Sequence, residues 1–117
     1  MITDLKTGIK YRVTKAGKKG GTVEFFAPKN KKQKQITIPD TVKIGGITYK
    51  VTSIAKNAFK GCKKLNKVVI GKNINKIGSK AFYECKKLKT IIFKTTKLKS
   101  SKVGKKAFAG TAKKAKV

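Results

Sequence analysis

Beyond its lysines, this 117-residue chain carries few groups able to do chemistry. There are two thiols, Cys62 and Cys85, and four carboxylates, Asp4, Glu24, Asp40 and Glu84; histidine is absent. A thiol nucleophile needs a neighbouring base, most often histidine, to form its thiolate. Structural zinc takes four Cys or His ligands, and one chain offers two. The carboxylates are scattered along the sequence, and no Ser/His/Asp set can be assembled without histidine. Gly17–Gly21 is glycine-rich, but it falls between two predicted strands. A phosphate-cradling loop must instead open a helix. The residue inventory therefore points away from catalysis, with no cofactor, no metal and no small-molecule substrate expected.

The positions of the thiols explain them better than chemistry does. Ile54, Ala58, Phe59, Cys62, Leu65, Val68 and Ile70 recur as Ile77, Ala81, Phe82, Cys85, Leu88, Ile91 and Phe93, each pair 23 positions apart. A fixed register in the twenties is the mark of a solenoid, in which each unit buries its apolar side against the next. A third copy follows a three-residue insertion, with Val103, Ala107 and Phe108 lying 26 positions after Ile77, Ala81 and Phe82. Thr111 and Lys114 then replace Cys and Leu, and Val117 falls at the Val68 position. Equivalent cysteines stack one unit apart as core filler. A disulfide between them stays open, although strand spacing exceeds the preferred Cβ separation of about 3.8 Å.

Within each unit, the two apolar positions Val68/Ile70 or Ile91/Phe93 are two apart and share one face of a short strand. Stacked at about 4.8 Å, such strands form a parallel ladder. The Ala-Phe step predicts a tight helical turn on the opposite side, with the ring filling the interior. Lys67, Val69, Thr90 and Ile92 alternate with the core positions and form the open face of the ladder.

The segment ahead of the repeats reads differently. Ile9, Tyr11 and Val13 alternate with Lys10, Arg12 and Thr14, the period of a half-buried strand. Gly17–Gly21 is a hairpin loop and residues 22–26 the return strand. Ile36-Thr37-Ile38 is a short strand stopped by Pro39, which lacks a ladder N–H. Gly45-Gly46 between two isoleucines suits a two-residue hairpin. The expected organisation is an antiparallel β cap or lead-in over residues 1–53, then repeats over 54–117, divided as 54–76, 77–102 and a partial 103–117. The lead-in covers the apolar end and strand edge of the first repeat.

The pattern Ile-x-x-x-Ala-Phe-x-x-Cys-x-x-Leu-x-x-Val-x-Ile resembles the BspA-type leucine-rich repeat of bacterial surface proteins. The run Ile36-Thr37-Ile38-Pro39, then Gly-Gly, then Tyr49 to Ile54, resembles the lead-in that often precedes those repeats. The resemblance implies a mostly β, right-handed leucine-rich-repeat solenoid with a parallel strand ladder and short helical turns. It also implies a noncatalytic binding or adhesion module, extracellular or cell-surface in location. No family binding residue maps onto this chain, because the family has no shared site. Partners of such proteins usually meet the strand face, which here is Lys67, Val69, Thr90 and Ile92.

Charge supports a second reading. The net charge is +28, from 32 basic and 4 acidic residues, and Arg12 is the sole arginine. Lys63-Lys64 and Lys86-Lys87 are in repeat register. Like charges stacked about 5 Å apart repel by up to roughly 0.8 kcal/mol per pair in water before screening. These lysines are candidate contacts for a polyanion such as nucleic acid, teichoic acid or glycosaminoglycan. Sequence-specific nucleic-acid reading is disfavoured, since arginine forks and interleaved aromatics are missing. A solvated lysine-rich surface and a spacer or cap role in a longer array remain the simplest alternatives. No window reaches the ~20 apolar residues of a membrane span. Met1-Ile2-Thr3-Asp4 lacks the basic-then-apolar order of a signal peptide.

Overall fold

Alternating apolar residues at the start of the chain build the first strands. The computed structural model describes residues 1–17, 20–96 and 98–108. Strands β1 (Ile2–Thr3), β2 (Lys10–Lys15) and β3 (Gly21–Ala27) pair antiparallel, setting Tyr11 opposite Phe25 and Val13 opposite Val23. Tyr11, Val23 and Phe25 are buried, while Lys10 and Arg12 face solvent. β4 spans Gln35–Ile38. β5 (Thr41–Ile44) and β6 (Ile47–Ile54) then form the expected hairpin. Its turn is Gly45-Gly46, with φ of 59° and 79°, left-handed angles that cost an L side chain but not glycine.

Pairing changes mode within this lead-in. The alternation leads one to expect an antiparallel unit, and β2–β3 and β5–β6 are antiparallel. Yet β3 lies parallel to β6, with Val23 opposite Val51 and Phe25 opposite Ile54. β4 lies parallel to β7 (Lys67–Ile70), with Ile36 opposite Val68 and Ile38 opposite Ile70. The lead-in thus shares both sheets with the repeats. β5 and the Gly45-Gly46 turn, inserted between β4 and β6, hide the continuity in the sequence.

Each full repeat contributes a strand to each side. On one side β8 (Lys76–Ile77) extends β6, pairing Ile54 with Ile77, and Val103 bridges Ile77 in turn. On the other, β9 (Thr90–Phe93) extends the β4–β7 ladder. The connecting turns close with i→i−3 bonds, such as Ala58 N–H to Ala55 O at 3.1 Å and Cys85 N–H to Phe82 O at 3.2 Å. They do not grow into helices. Asn57, Lys80 and Lys106, equivalent in the three units, have φ of 61°, 55° and 58°, and a left-handed residue stops a right-handed helix. Among the described residues, the one assigned helical segment is a 3₁₀ turn at Ser100–Lys102.

Two devices fix the stacking distance. The rings of Phe25, Phe59, Phe82 and Phe108 form a column, with successive centroids 5.0, 4.8 and 5.2 Å apart. Tyr11 closes its end edge-on at 5.8 Å. Between coils, Phe59 N–H donates to Ala81 O and Phe82 N–H to Ala107 O, both at 2.7 Å. Close backbone approach explains Gly78, where an added Cβ would collide with the Lys56 amide nitrogen. Leu65, Leu88, Ile70, Ile74, Cys62 and Cys85 complete the buried interior. The third-unit positions Thr111, Lys114 and Val117 lie outside the described residues.

Candidate binding surfaces

The outer face of the β4–β7–β9 sheet follows from the period of two. Core-facing Ile36, Ile38, Val68, Ile70 and Ile91 are buried. The alternate residues stand in two rows across the strands: Gln35, Lys67, Thr90 and Thr37, Val69, Ile92. Lys67, Val69 and Thr90 are half-buried, and Ile92 is 39% exposed. All four residues expected on the open face are therefore together on one face of a single sheet. Gln35 and Thr37 were not expected there. The signal was present in Ile36-x-Ile38, whose spacing matches Val68-x-Ile70. It was obscured because these strands lie 32 positions apart rather than 23.

Lys63, Lys64, Lys86 and Lys87 occupy the turns leading into β7 and β9, and all four are exposed. The loop before β4 joins the same stack. Asn66 N–H donates to Lys34 O at 2.8 Å, and Lys89 N–H to Asn66 O at 3.1 Å. Exposed Lys31 and Lys32 are consequently the counterparts of Lys63 and Lys64, and Lys31 Nζ lies over Gly61. Gln33 then stands where the repeats carry Leu65 and Leu88. Its Oε1 is buried with no hydrogen-bond partner among the described residues.

The thiols sit inside this stack. Cys62 and Cys85 are free and fully buried. The Cys85 thiol donates to Phe59 O at 3.1 Å, an oxygen that also accepts from Cys62 N–H at 3.0 Å. Burial pushes the Cys85 thiol up to about 12, with a further push from the neighbouring Cys62. Burial also raises Cys62, against the opposing pull of Lys31. Both are protonated packing groups at neutral pH.

Three of the four carboxylates are engaged, each separately. Glu24 pairs with Arg12 at 2.9 Å, and Asp40 lies 3.9 Å from Lys72 Nζ while accepting from Lys72 N–H. Asp4 caps its own turn through Lys6 N–H and Thr7 Oγ1. Among the described residues, no three His, Cys, Asp or Glu side chains gather as a metal site would require. Nor is any described helix long and apolar enough to cross a membrane.

The family model "BspA type Leucine rich repeat region (6 copies)" matches residues 22–117, starting in β3 and running through both ladders. The chain belongs to the BspA-type leucine-rich repeat family. The match begins inside the lead-in, in keeping with the parallel pairing of β3 and β4. Solved structures of similar shape are bacterial leucine-rich repeat proteins. A leucine-rich cell surface protein from Faecalibacterium prausnitzii superposes with a TM-score of 0.73 at 27% identity, over 93% of this chain and 27% of that one. A leucine-rich repeat protein from Bacteroides ovatus gives 0.71 at 27% identity, over 95% and 33%. The Treponema pallidum leucine-rich repeat protein gives 0.69 at 25% identity, over 94% and 46%. This BspA-type chain therefore spans less than half the length of each of these three. No curated protein matches it. Membership makes it a repeat module of a kind that binds proteins.

Proposed function

We propose that this BspA-type segment is a noncatalytic adhesion module of a secreted or surface-attached bacterial protein, and that the β4–β7–β9 outer face meets its protein partner. One observation carries the reading. Val69 and Ile92 sit side by side on one sheet, partly open to solvent, whereas the other exposed large apolar side chains of the described residues, Met1, Leu5 and Phe26, lie in or beside β1–β3. Small apolar groups ringed by polar ones, here Thr37, Lys67 and Thr90, give the apolar centre and polar rim of an interface. Val69 lies on the central strand β7, which is held on both sides by β4 and β9, so little order would be lost there on binding.

The test is a biosensor screen of the purified domain against secreted and surface-exposed proteins, with Val69→Glu/Ile92→Glu as the paired control. A partner on this face binds wild type and is lost by the double variant, whose melting temperature is unchanged. A partner that binds both proteins equally places recognition elsewhere.

A further inference from the structure

The register of the lysines points to a second, separate surface. Where the two full repeats stack, lysine columns are generally broken by a neutral neighbour. Lys56 is followed by Ser79, Lys60 by Tyr83 and Lys67 by Thr90; Asn57 precedes Lys80 and Asn66 precedes Lys89. This alternation separates like charges. Lys63–Lys86 and Lys64–Lys87 break the rule side by side, as Lys76–Lys102 does singly, and Lys31 and Lys32 extend the two adjacent columns into the first coil. Six exposed ammonium groups thus form a two-column ridge along the solenoid axis, with coils spaced at about 4.8 Å. Neither ion pair of the described residues, Arg12–Glu24 or Lys72–Asp40, involves the ridge. Glu84, two residues before Lys86, is the only carboxylate in these turns.

We propose that this ridge binds a linear, base-free phosphate polymer. Lysine meets phosphate as a flexible point charge and needs no fixed fork. A ridge of ammoniums repeating at coil spacing can follow successive phosphates along a chain. Nucleobases are a poorer fit. Reading or stacking them calls for arginine or aromatic side chains, and none occupies the six positions. Sugar hydroxyl oxygens can accept from ammoniums, but each hydroxyl also presents an O–H that needs an acceptor, which the six lysines do not supply.

The probe is size-fractionated inorganic polyphosphate, titrated into the fluorescently labelled domain at low and at physiological ionic strength. Three proteins are compared: wild type, Lys63→Gln/Lys64→Gln/Lys86→Gln/Lys87→Gln, and the equally discharged Lys10→Gln/Lys43→Gln/Lys50→Gln/Lys94→Gln. The ridge variant is expected to lose about tenfold or more in affinity, with a salt slope shallower by about one per phosphate contact removed. The control variant keeps most of the affinity. Equal loss in both variants overturns the proposal, because it leaves only generic charge. Absence of polyphosphate binding by wild type also overturns it. Tighter ridge-dependent binding of single-stranded DNA or heparin, at matched charge, replaces the base-free phosphate polymer with that ligand. Circular dichroism of the variants confirms their fold, which removal of stacked like charges favours.

Discussion

The rings of Phe59 and Phe82 lie 4.8 Å apart and 6° from parallel, although 23 residues separate them in the chain. That contact joins one coil to the next, and Phe25 and Phe108 continue it on either side. Phe82→Ala is expected to cost about 3–5 kcal/mol, as for other buried rings cut to a methyl. Phe82→Leu keeps most of the apolar volume and costs less. Urea unfolding of the three proteins measures both. A loss below about 1 kcal/mol for Phe82→Ala would show that the column does not hold the coils together.

Gln33 takes the position that Leu65 and Leu88 fill in the following coils, and its buried Oε1 has no partner among the described residues. An unmade hydrogen bond of this kind costs about 1–3 kcal/mol. Gln33→Leu is expected to raise the stability of the domain by about 1 kcal/mol. The denaturant midpoint reads the change, and a lower midpoint contradicts the assigned register.

That register was only partly legible in the sequence. Phe59 and Phe82, Leu65 and Leu88, and Val69 and Ile92 keep one spacing, so the two full coils and the four central residues of the candidate face could be read directly. Phe25 and Ile36 belong to the same stack but sit 34 and 32 positions before Phe59 and Val68. The extra length forms the Thr41–Ile44/Ile47–Ile54 hairpin, whose alternation suggests a purely antiparallel lead-in. Gln35, Thr37, Lys31 and Lys32 were hidden for that reason. Gln33 masked the leucine that would have revealed the first coil.

Charge makes the fold dependent on salt. Net charge of +28 places like charges close together throughout the surface, most sharply in the Lys63–Lys86 and Lys64–Lys87 columns. The screening length falls from about 30 Å at 0.01 M salt to about 8 Å at 0.15 M. Melting temperature is therefore expected to rise with sodium chloride over that interval. The rise should be smaller in the four-lysine ridge variant. A flat or falling melting temperature in wild type contradicts this.

Alkaline pH tests the buried thiols. Cys85 keeps its proton in the fold up to about 12, whereas an ordinary thiol loses it near 9.0. Below pH 9 both folded and unfolded chains are protonated, so this contribution to stability is fully present. As pH rises from 9 towards 12, only the unfolded chain gives up the proton, and stability falls by up to about 1.4 kcal/mol per pH unit for this group. Burial raises Tyr11 and Cys62 in the same direction. Denaturant midpoints on either side of pH 9 should decline more steeply for wild type than for Cys85→Ala, with the lysine contribution common to both. Identical slopes would place the Cys85 thiol in contact with water.

The placement of the binding face is tested most directly by thiol footprinting. Cys62 and Cys85 are buried, so a cysteine introduced at Ile92 is the readily labelled thiol of the folded domain. The quantity to measure is the alkylation rate of Ile92→Cys with and without a saturating protein partner from the biosensor screen. Thr14→Cys, at an exposed position on β2, serves as the reference. If the β4–β7–β9 face is the contact surface, the partner slows labelling at position 92 by about tenfold or more and leaves position 14 unchanged. Undiminished labelling at position 92 in the saturated complex would contradict it.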